Sequence, residues 1–184
     1  WIINLDAKGN EQWQRTIGGS GQELLQSIWP TSDGGYIIGG SSSSNKDAIQ
    51  ANGKKDLFGK KEDSYGNLDY WIVKLDAKGN TEWQKTIGGL YADHLRSIQQ
   101  AKDGGYILGG SSNSPESGNK TEKCYGGSDY WIVKLDKNGK FEFQRSKDLN
   151  TFTKKTESFA KDFNPRHGSV IGISRAEAKR LNNK

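Results

Sequence analysis

The sequence predicts an all-β chain built from repeated four-stranded antiparallel units, and three observations carry that prediction. A hexapeptide recurs, as Trp1-Ile-Ile-Asn-Leu-Asp6, Trp71-Ile-Val-Lys-Leu-Asp76 and Trp131-Ile-Val-Lys-Leu-Asp136. Long-range self-similarity follows it: residues 1–44 laid over 71–114 without a gap give 27 identities in 44, and 131–146 over 71–86 give 9 in 16. Within each repeat, apolar residues alternate with period two between Gly-marked turns, the pattern of strands and hairpins.

The second repeat shows each element in order. Asp69 to Asp76 alternates Trp71, Val73 and Leu75 with Tyr70, Ile72 and Lys74. Both rows are largely apolar, as in a strand covered on two faces. Ala77-Lys-Gly79-Asn80 is a tight turn in which Gly79 supplies positive φ, and Glu82 to Ile87 returns as the second strand. Gly88-Gly89 closes it, Leu95 to Ala101 forms the third strand, and Asp103-Gly-Gly105 turns the chain into Tyr106 to Gly110 as the fourth. Four strands in roughly 60 residues make one propeller-type blade.

The blocks are therefore 1–44 as blade 1, 45–68 as a loop insertion, 69–114 as blade 2, 115–128 as a loop, 129–146 as a partial blade 3 and 147–184 as a basic non-repeat tail. The fold class expected is a fragment of a β-propeller, with two full blades, part of a third, and an irregular or short-helical C-terminal tail. Propellers use about 4 to 8 blades, so further blades or self-association are needed to cover the sheet faces. The chain starts inside an apolar run at Trp1 and has no Met, which suggests an internal fragment or a processed piece.

Composition narrows the partners. No apolar run approaches the ~20 residues that span a bilayer, so membrane insertion is not expected, and mean hydropathy is -0.88. Of 27 Lys plus Arg and 22 Asp plus Glu, the tail holds 9 and 4, which leaves 18 of each for residues 1–146. The isoelectric point of about 9.1 thus reports the tail, and the repeat body is not expected to bind nucleic acid.

Candidate sites are few. Trp1, Trp71 and Trp131 share one repeat position and Trp13 and Trp83 another, with Phe143 in the third place; recurrence favours packing between blades over a sugar platform. Trp29 is singular, since Gln99 replaces it one repeat later, and it is the single ligand candidate. Asp6, Asp76, Asp136, Asp33 and Asp103 open turns and are expected to cap them; Asp-Ala-Lys-Gly-Asn lacks the acids of a calcium loop. His94 is placed in a loop and His167 in the tail, neither with a partner pattern, and Cys124 is a lone loop thiol. No catalytic residue, metal ligand or cofactor is expected.

The run from Trp71 to Trp83 resembles the hairpin of pyrroloquinoline-quinone-type propeller blades, where an Asp, a Gly and a docking Trp recur. Asp33-Gly-Gly35 and Asp103-Gly-Gly105 are similar to the Asp-box turn. The fuller likeness, over residues 1–146, is to repetitive surface proteins of the Bacteroidota, whose blades read Asp-Tyr-Trp-Ile-Val-Lys-Leu-Asp, Gly-Asn, Glu-Trp-Gln-Lys-Thr-Ile-Gly-Gly and Asp-Gly-Gly-Tyr-Ile-Leu-Gly-Gly-Ser. That resemblance implies a secreted or cell-surface scaffold, commonly exported by type IX secretion, that displays loops to a protein or glycan ligand without catalysis. The alternative is a fragment of a propeller enzyme, a quinoprotein-like dehydrogenase or a glycan-active lyase or hydrolase.

After Ser146 the repeat stops in mid-blade. A frameshift or chimeric junction is the first reading, a C-terminal cap the second, a basic arm for a polyanion the third. Ser174 followed by Glu177 predicts a capped short helix.

Overall fold

The structure, a computed structural model, describes residues 1–46 and 59–141 and the backbone of 143–146 and 152–155. The expected helix near Ser174, His167 and most of the basic tail lie outside the described residues. Residues 1–140 and 141–184 form two units.

Among the described residues the fold is all-β. In the first unit, strands β1 (Ile2–Leu5) and β2 (Glu11–Arg15) make a two-stranded antiparallel sheet. Strands β3 (Glu23–Pro30), β4 (Tyr36–Ser42), β5 (Asp69–Leu75) and β6 (Thr81–Ile87) make a four-stranded antiparallel sheet in that order. Strands β7 (Asp93–Gln100), β8 (Tyr106–Ser112) and β9 (Asp129–Leu135) make a three-stranded one. In the second unit, β10 (Phe143–Ser146) pairs with β11 (Phe152–Lys155). His94 therefore lies in β7 and not in the connection before it.

The sheets are half a repeat out of phase with the sequence blocks. The last two strands of one repeat form a sheet with the first strand of the next in both places, and with its second strand as well in the four-stranded sheet, which runs from residue 23 to 87 across the 45–68 segment. The joining ladder keeps one register in both places: Tyr36 faces Leu75 and Ser42 faces Asp69, as Tyr106 faces Leu135 and Ser112 faces Asp129. The extra ten residues of the first connection leave that register untouched. Bulges recur as well, between Leu25 and Ser27 and between Leu95 and Ser97, each adding local twist.

Both faces of β5 are covered, which is why its two side-chain rows are both apolar. Trp71, Val73, Leu75 and Ile38 form one buried cluster against Ile2, Trp13, Ile17 and Tyr36. On the other face Ile37, Tyr70 and Ile72 are buried where β7 lies across the sheet. Gly39 allows that approach: a Cβ there would sit 2.5 Å from Leu95 Cδ2 and 3.0 Å from Ile98 Cγ2. Hydrogen bonds seal the contact, since the Leu95 N–H donates to Ser41 Oγ at 3.0 Å and the Tyr70 hydroxyl to the Trp131 carbonyl at 3.0 Å.

The carboxylate-capped turns form as their sequence suggests. Asp76 Oδ1 accepts the N–H groups of Lys78 and Asn80 at 2.8 Å each, and Asp6 and Asp136 repeat the pattern. Asn10 and Asn80 side-chain hydrogen bonds hold the Asp6 and Asp76 carboxyls below the usual range.

Candidate functional site

The candidate binding site is a groove of 630 Å³ where the β1–β2 hairpin meets β4 and the turn after β5. Asn4, Glu11, Gln12, Trp13, Gln14, Arg15, Tyr36, Ala77 and Lys78 line it. Its frame is the docking of Trp13 on the neighbouring turn. The indole N–H donates to the Ala77 carbonyl at 3.0 Å, and the ring lies on Gly79, whose Cβ would fall 2.7 Å from ring carbons. Tyr36 meets Trp13 edge to face, ring centres 5.8 Å apart, a favoured aromatic geometry. One repeat later Trp83 lies on Gly139 and meets Tyr106 at 5.6 Å, so these tryptophans join successive hairpins.

Polar groups complete the groove. Asn4 Nδ2 donates to the Tyr36 hydroxyl at 2.5 Å, and Arg15 donates to the Gln14 carbonyl at 2.7 Å and the Lys78 carbonyl at 3.3 Å, its guanidinium 5.9 Å from the Trp13 ring centre. Amides, a carboxylate, a guanidinium and two aromatic rings in an open groove suit hydrogen-bonding ligands such as sugars or peptides. In the equivalent place one repeat on, Lys74 occupies the position of Asn4. Its ammonium donates to Glu82 Oε2 at 2.8 Å and the Leu75 carbonyl at 3.0 Å and pairs with Asp33 Oδ2 at 2.9 Å. Burial works against that charge, but the bonds to Glu82 and Asp33 outweigh it and raise the Lys74 pKa. The Thr31 hydroxyl first, and Lys74 second, hold the Asp33 carboxyl down at about 2.

Trp29 stands on β3 opposite Ile37, 42% exposed, and is not among the groove residues. Cys124 is half-buried, its thiol within 3.3 Å of the Ser112 carbonyl and 3.0 Å of the Ser114 carbonyl. Among the described residues, no three His, Cys, Asp or Glu side chains gather as metal ligands would, and no helix is long and apolar enough to cross a membrane.

A second polar cluster lies where β4 leaves its sheet. Lys60, buried, donates to the Ser44 carbonyl and Ser64 Oγ at 2.7 Å each, and Ser64 donates to the Ser42 and Ser44 carbonyls at 3.1 Å. Burial lowers the Lys60 pKa against the opposing pull of Asp69 and Glu23. Nearby, Asp69 takes the Tyr65 N–H at 2.6 Å and Asp93 takes the Gly89 N–H at 2.7 Å, while Oδ1 of each is buried without a hydrogen-bond donor. Burial raises the Asp69 pKa, and the charge of Asp93 adds to it. The sequence carried a signal for this latch: Lys60, Glu62, Tyr65 and Gly66 match Lys120, Glu122, Tyr125 and Gly126 at the 60-residue offset.

No protein-family model matches the chain. It is similar to the regulatory protein FlaEY of Caulobacter vibrioides (strain ATCC 19089 / CIP 103742 / CB 15), 25% identical over 131 residues, which is 71% of this chain and 13% of that protein.

Proposed function

We propose that this chain is a segment of a secreted or cell-surface β-propeller scaffold that holds variable loops and the Trp13 groove toward protein or glycan ligands. One observation carries the reading: the β4–β5 and β8–β9 ladders keep an identical register while the connections between them differ by ten residues. A frame that stays fixed while its loops vary is the arrangement of binding scaffolds, whose recognition residues sit on loops over a rigid core. Stacked sheets joined by docked tryptophans support the propeller assignment, and similarity to a small part of a much longer protein fits a repeat segment. The surface location rests on the Bacteroidota resemblance. The Asn4, Gln12 and Arg15 side chains give the groove its hydrogen-bonding character.

The test is retention of the labelled chain on a glycan array and on immobilised surface protein. It compares the parent chain with Arg15→Ala and with a chain whose 45–68 segment is replaced by the sequence of 115–128. The expected result is a retained fold by circular dichroism and a changed or abolished binding profile. A profile unmoved by both changes would refute the assignment of binding to groove and loop, and collapse of the exchanged chain would refute the independence of frame and loop.

A further inference from the structure

We infer that Tyr65, Leu90 and Tyr91 form a platform that binds a neutral oligosaccharide. The platform shares no residue with the Trp13 groove, so either site can fail without the other.

Hydrogen bonds lock three segments into one frame: the end of the connection before β5, the link between β6 and β7, and the start of the connection after β8. The Asn119 N–H donates to the Gly88 carbonyl at 2.9 Å, and the Gly88 N–H returns to Asn119 Oδ1 at 3.3 Å. The Leu90 N–H donates to Ser117 Oγ and the Tyr91 N–H to Ser114 Oγ, at 2.9 Å each. Gly66 lies on the link, where a Cβ would fall 2.2 Å from the Leu90 carbonyl oxygen. Asn119 Nδ2 donates to the Tyr65 hydroxyl at 3.3 Å, and Gly118 packs against the Tyr65 ring, its Cβ position 3.1 Å from Cγ and Cδ1. On this fixed frame Tyr65, Leu90 and Tyr91 are 46%, 54% and 51% exposed. Single exposed apolar side chains are ordinary, but three gathered on one frame mark a contact surface.

The fold does not require two of the three. At the 70-residue offset Ser20 and Gly21 stand where Leu90 and Tyr91 do. The backbone there is held in the same way, with the Gly21 N–H donating to Ser44 Oγ at 2.7 Å. A link that closes with Ser and Gly carries Leu and Tyr for something other than packing.

Three features select the occupant. The first is charge: residues 64–68, 88–92 and 113–119 contain one charged side chain, Glu116, in a chain where 27% of residues are charged, which favours an uncharged ligand. The second is the main chain. The N–H groups of Gly88, Gly89, Leu90 and Tyr91 all donate within the chain, so the link offers no row of free amides to an extended peptide. The third is size, since three side chains present far less than the roughly 800 Å² that each partner buries in a stable protein contact. What remains is side-chain chemistry: two phenol rings with their hydroxyls and one isobutyl group. A sugar ring matches it, with an apolar C–H face to lie on the aromatic surface and a rim of hydroxyls to meet polar tips. Because the frame is already fixed, little ordering is needed on binding.

The experiment titrates the intact chain, by calorimetry and by backbone amide shifts, with cellohexaose, xylohexaose, mannohexaose and chitohexaose. Saturable binding of at least one is expected, with shifts centred on the amides of Leu90, Tyr91 and Asn119. Leu90→Ser with Tyr91→Gly, which copies the residues of the earlier repeat, should weaken binding at least about tenfold. Tyr65→Ala should weaken it as well, while Tyr91→Phe should stay within about twofold because the ring is kept. Arg15→Ala should leave the affinity unchanged. Absence of binding to all four sugars, or equal binding by the double variant, would overturn the inference. Loss of binding on Arg15→Ala with the double variant unaffected would assign the sugar to the Trp13 groove. Tighter, salt-sensitive binding of polygalacturonate would overturn the neutral class. Self-association by light scattering that the double variant abolishes would give the platform to a second copy of the chain.

Discussion

Lys74 allows a prediction in which the damage depends on which partner is removed. Its side chain is 2% exposed, while its partners Asp33 and Glu82 are 56% and 46% exposed. All three ammonium protons have acceptors, on Asp33, Glu82 and the Leu75 carbonyl. Lys74→Met keeps the stem in place and returns two carboxylates to water they already touch. The cost is the lost hydrogen bonds and an unmet carbonyl, about 1–2 kcal/mol. Asp33→Ala with Glu82→Ala leaves the ammonium buried with one carbonyl, and breaking a buried pair from that side costs about 3–5 kcal/mol. Urea unfolding followed by circular dichroism at pH 7 reads the difference: with a slope of about 2 kcal/mol per molar, the double variant should unfold roughly 1 M earlier than Lys74→Met. The acid limb gives a second reading. The Asp33 carboxyl is held at about 2, below its unfolded value, so its stabilisation is present above about pH 4 and is lost as pH falls toward 2. Because the carboxylate is more than half exposed, water screens the pair and about 1 kcal/mol is the size expected. Lys74→Met should flatten the part of that limb owed to Lys74, with the Thr31 part remaining. A Lys74→Met chain less stable than the double variant would refute the asymmetry.

Gly9 and Gly79 occupy equivalent turns at φ +87° and +77°, but a Cβ at Gly9 meets open space and one at Gly79 meets the Trp13 ring; Gly9→Ala should cost about 1 kcal/mol and Gly79→Ala at least 1 more, and equal losses in thermal unfolding would disprove the docking contact. Burial raises the Asp69 pKa, so its ionised form destabilises the fold at neutral pH. Asp69→Asn, which keeps an acceptor for the Tyr65 N–H, should raise Tm at pH 7, with the gain shrinking as pH falls through the raised folded pKa and gone below about pH 3, where the carboxyl is protonated folded and unfolded alike; a lower Tm at pH 7 would contradict this. Cys124 stands where the preceding repeat has Ser64, and the two contact equivalent pairs of carbonyls, Ser112 and Ser114 for Cys124 and Ser42 and Ser44 for Ser64, so Cys124→Ser should change stability by no more than about 0.5 kcal/mol in urea unfolding while Cys124→Val, which removes the donor to the Ser112 and Ser114 carbonyls, costs about 1–2.

Local chemistry was legible and long-range pairing was not. Period-two patterning marks β5, and Asp76 with Gly79 marks its turn, because a hairpin is decided within ten residues. The phase of the sheets leaves no such trace: a periodic sequence reads the same wherever its period is cut, and Tyr36 meets Leu75 across a connection whose residues say nothing about the ladder. The latch at Lys60 is hidden in a segment whose length changes between repeats, so its constant Lys, Glu, Tyr and Gly align only at the 60-residue offset and not at the 70-residue offset of residues 1–44. The groove at Trp13 depends on Asn4 standing where Lys74 stands elsewhere, a difference that acquires meaning once the two hairpins are superposed. Patterning alone starts the strand at Leu95, and the ladder extends it two residues further to Asp93, which takes in His94.

The half-repeat stagger determines which pieces of the molecule can come apart. In arrays whose repeats meet through side chains alone, a terminal repeat can unravel while its neighbour stays folded. Here adjacent repeats share a main-chain ladder of seven residue pairs from Tyr36 to Ser42, so the cooperative unit is the second half of one repeat and the first half of the next. A protease that cuts between Ser42 and Asp69 would leave two fragments still bound by that ladder, whereas a cut between Ile87 and Asp93 falls between whole sheets. A cut in the long connection is thus bridged by a continuous main-chain ladder, whereas one in the short link is bridged by the packing of Leu95 and Ile98 on Gly39 and by separate bonds such as those to Ser41 and from Tyr70.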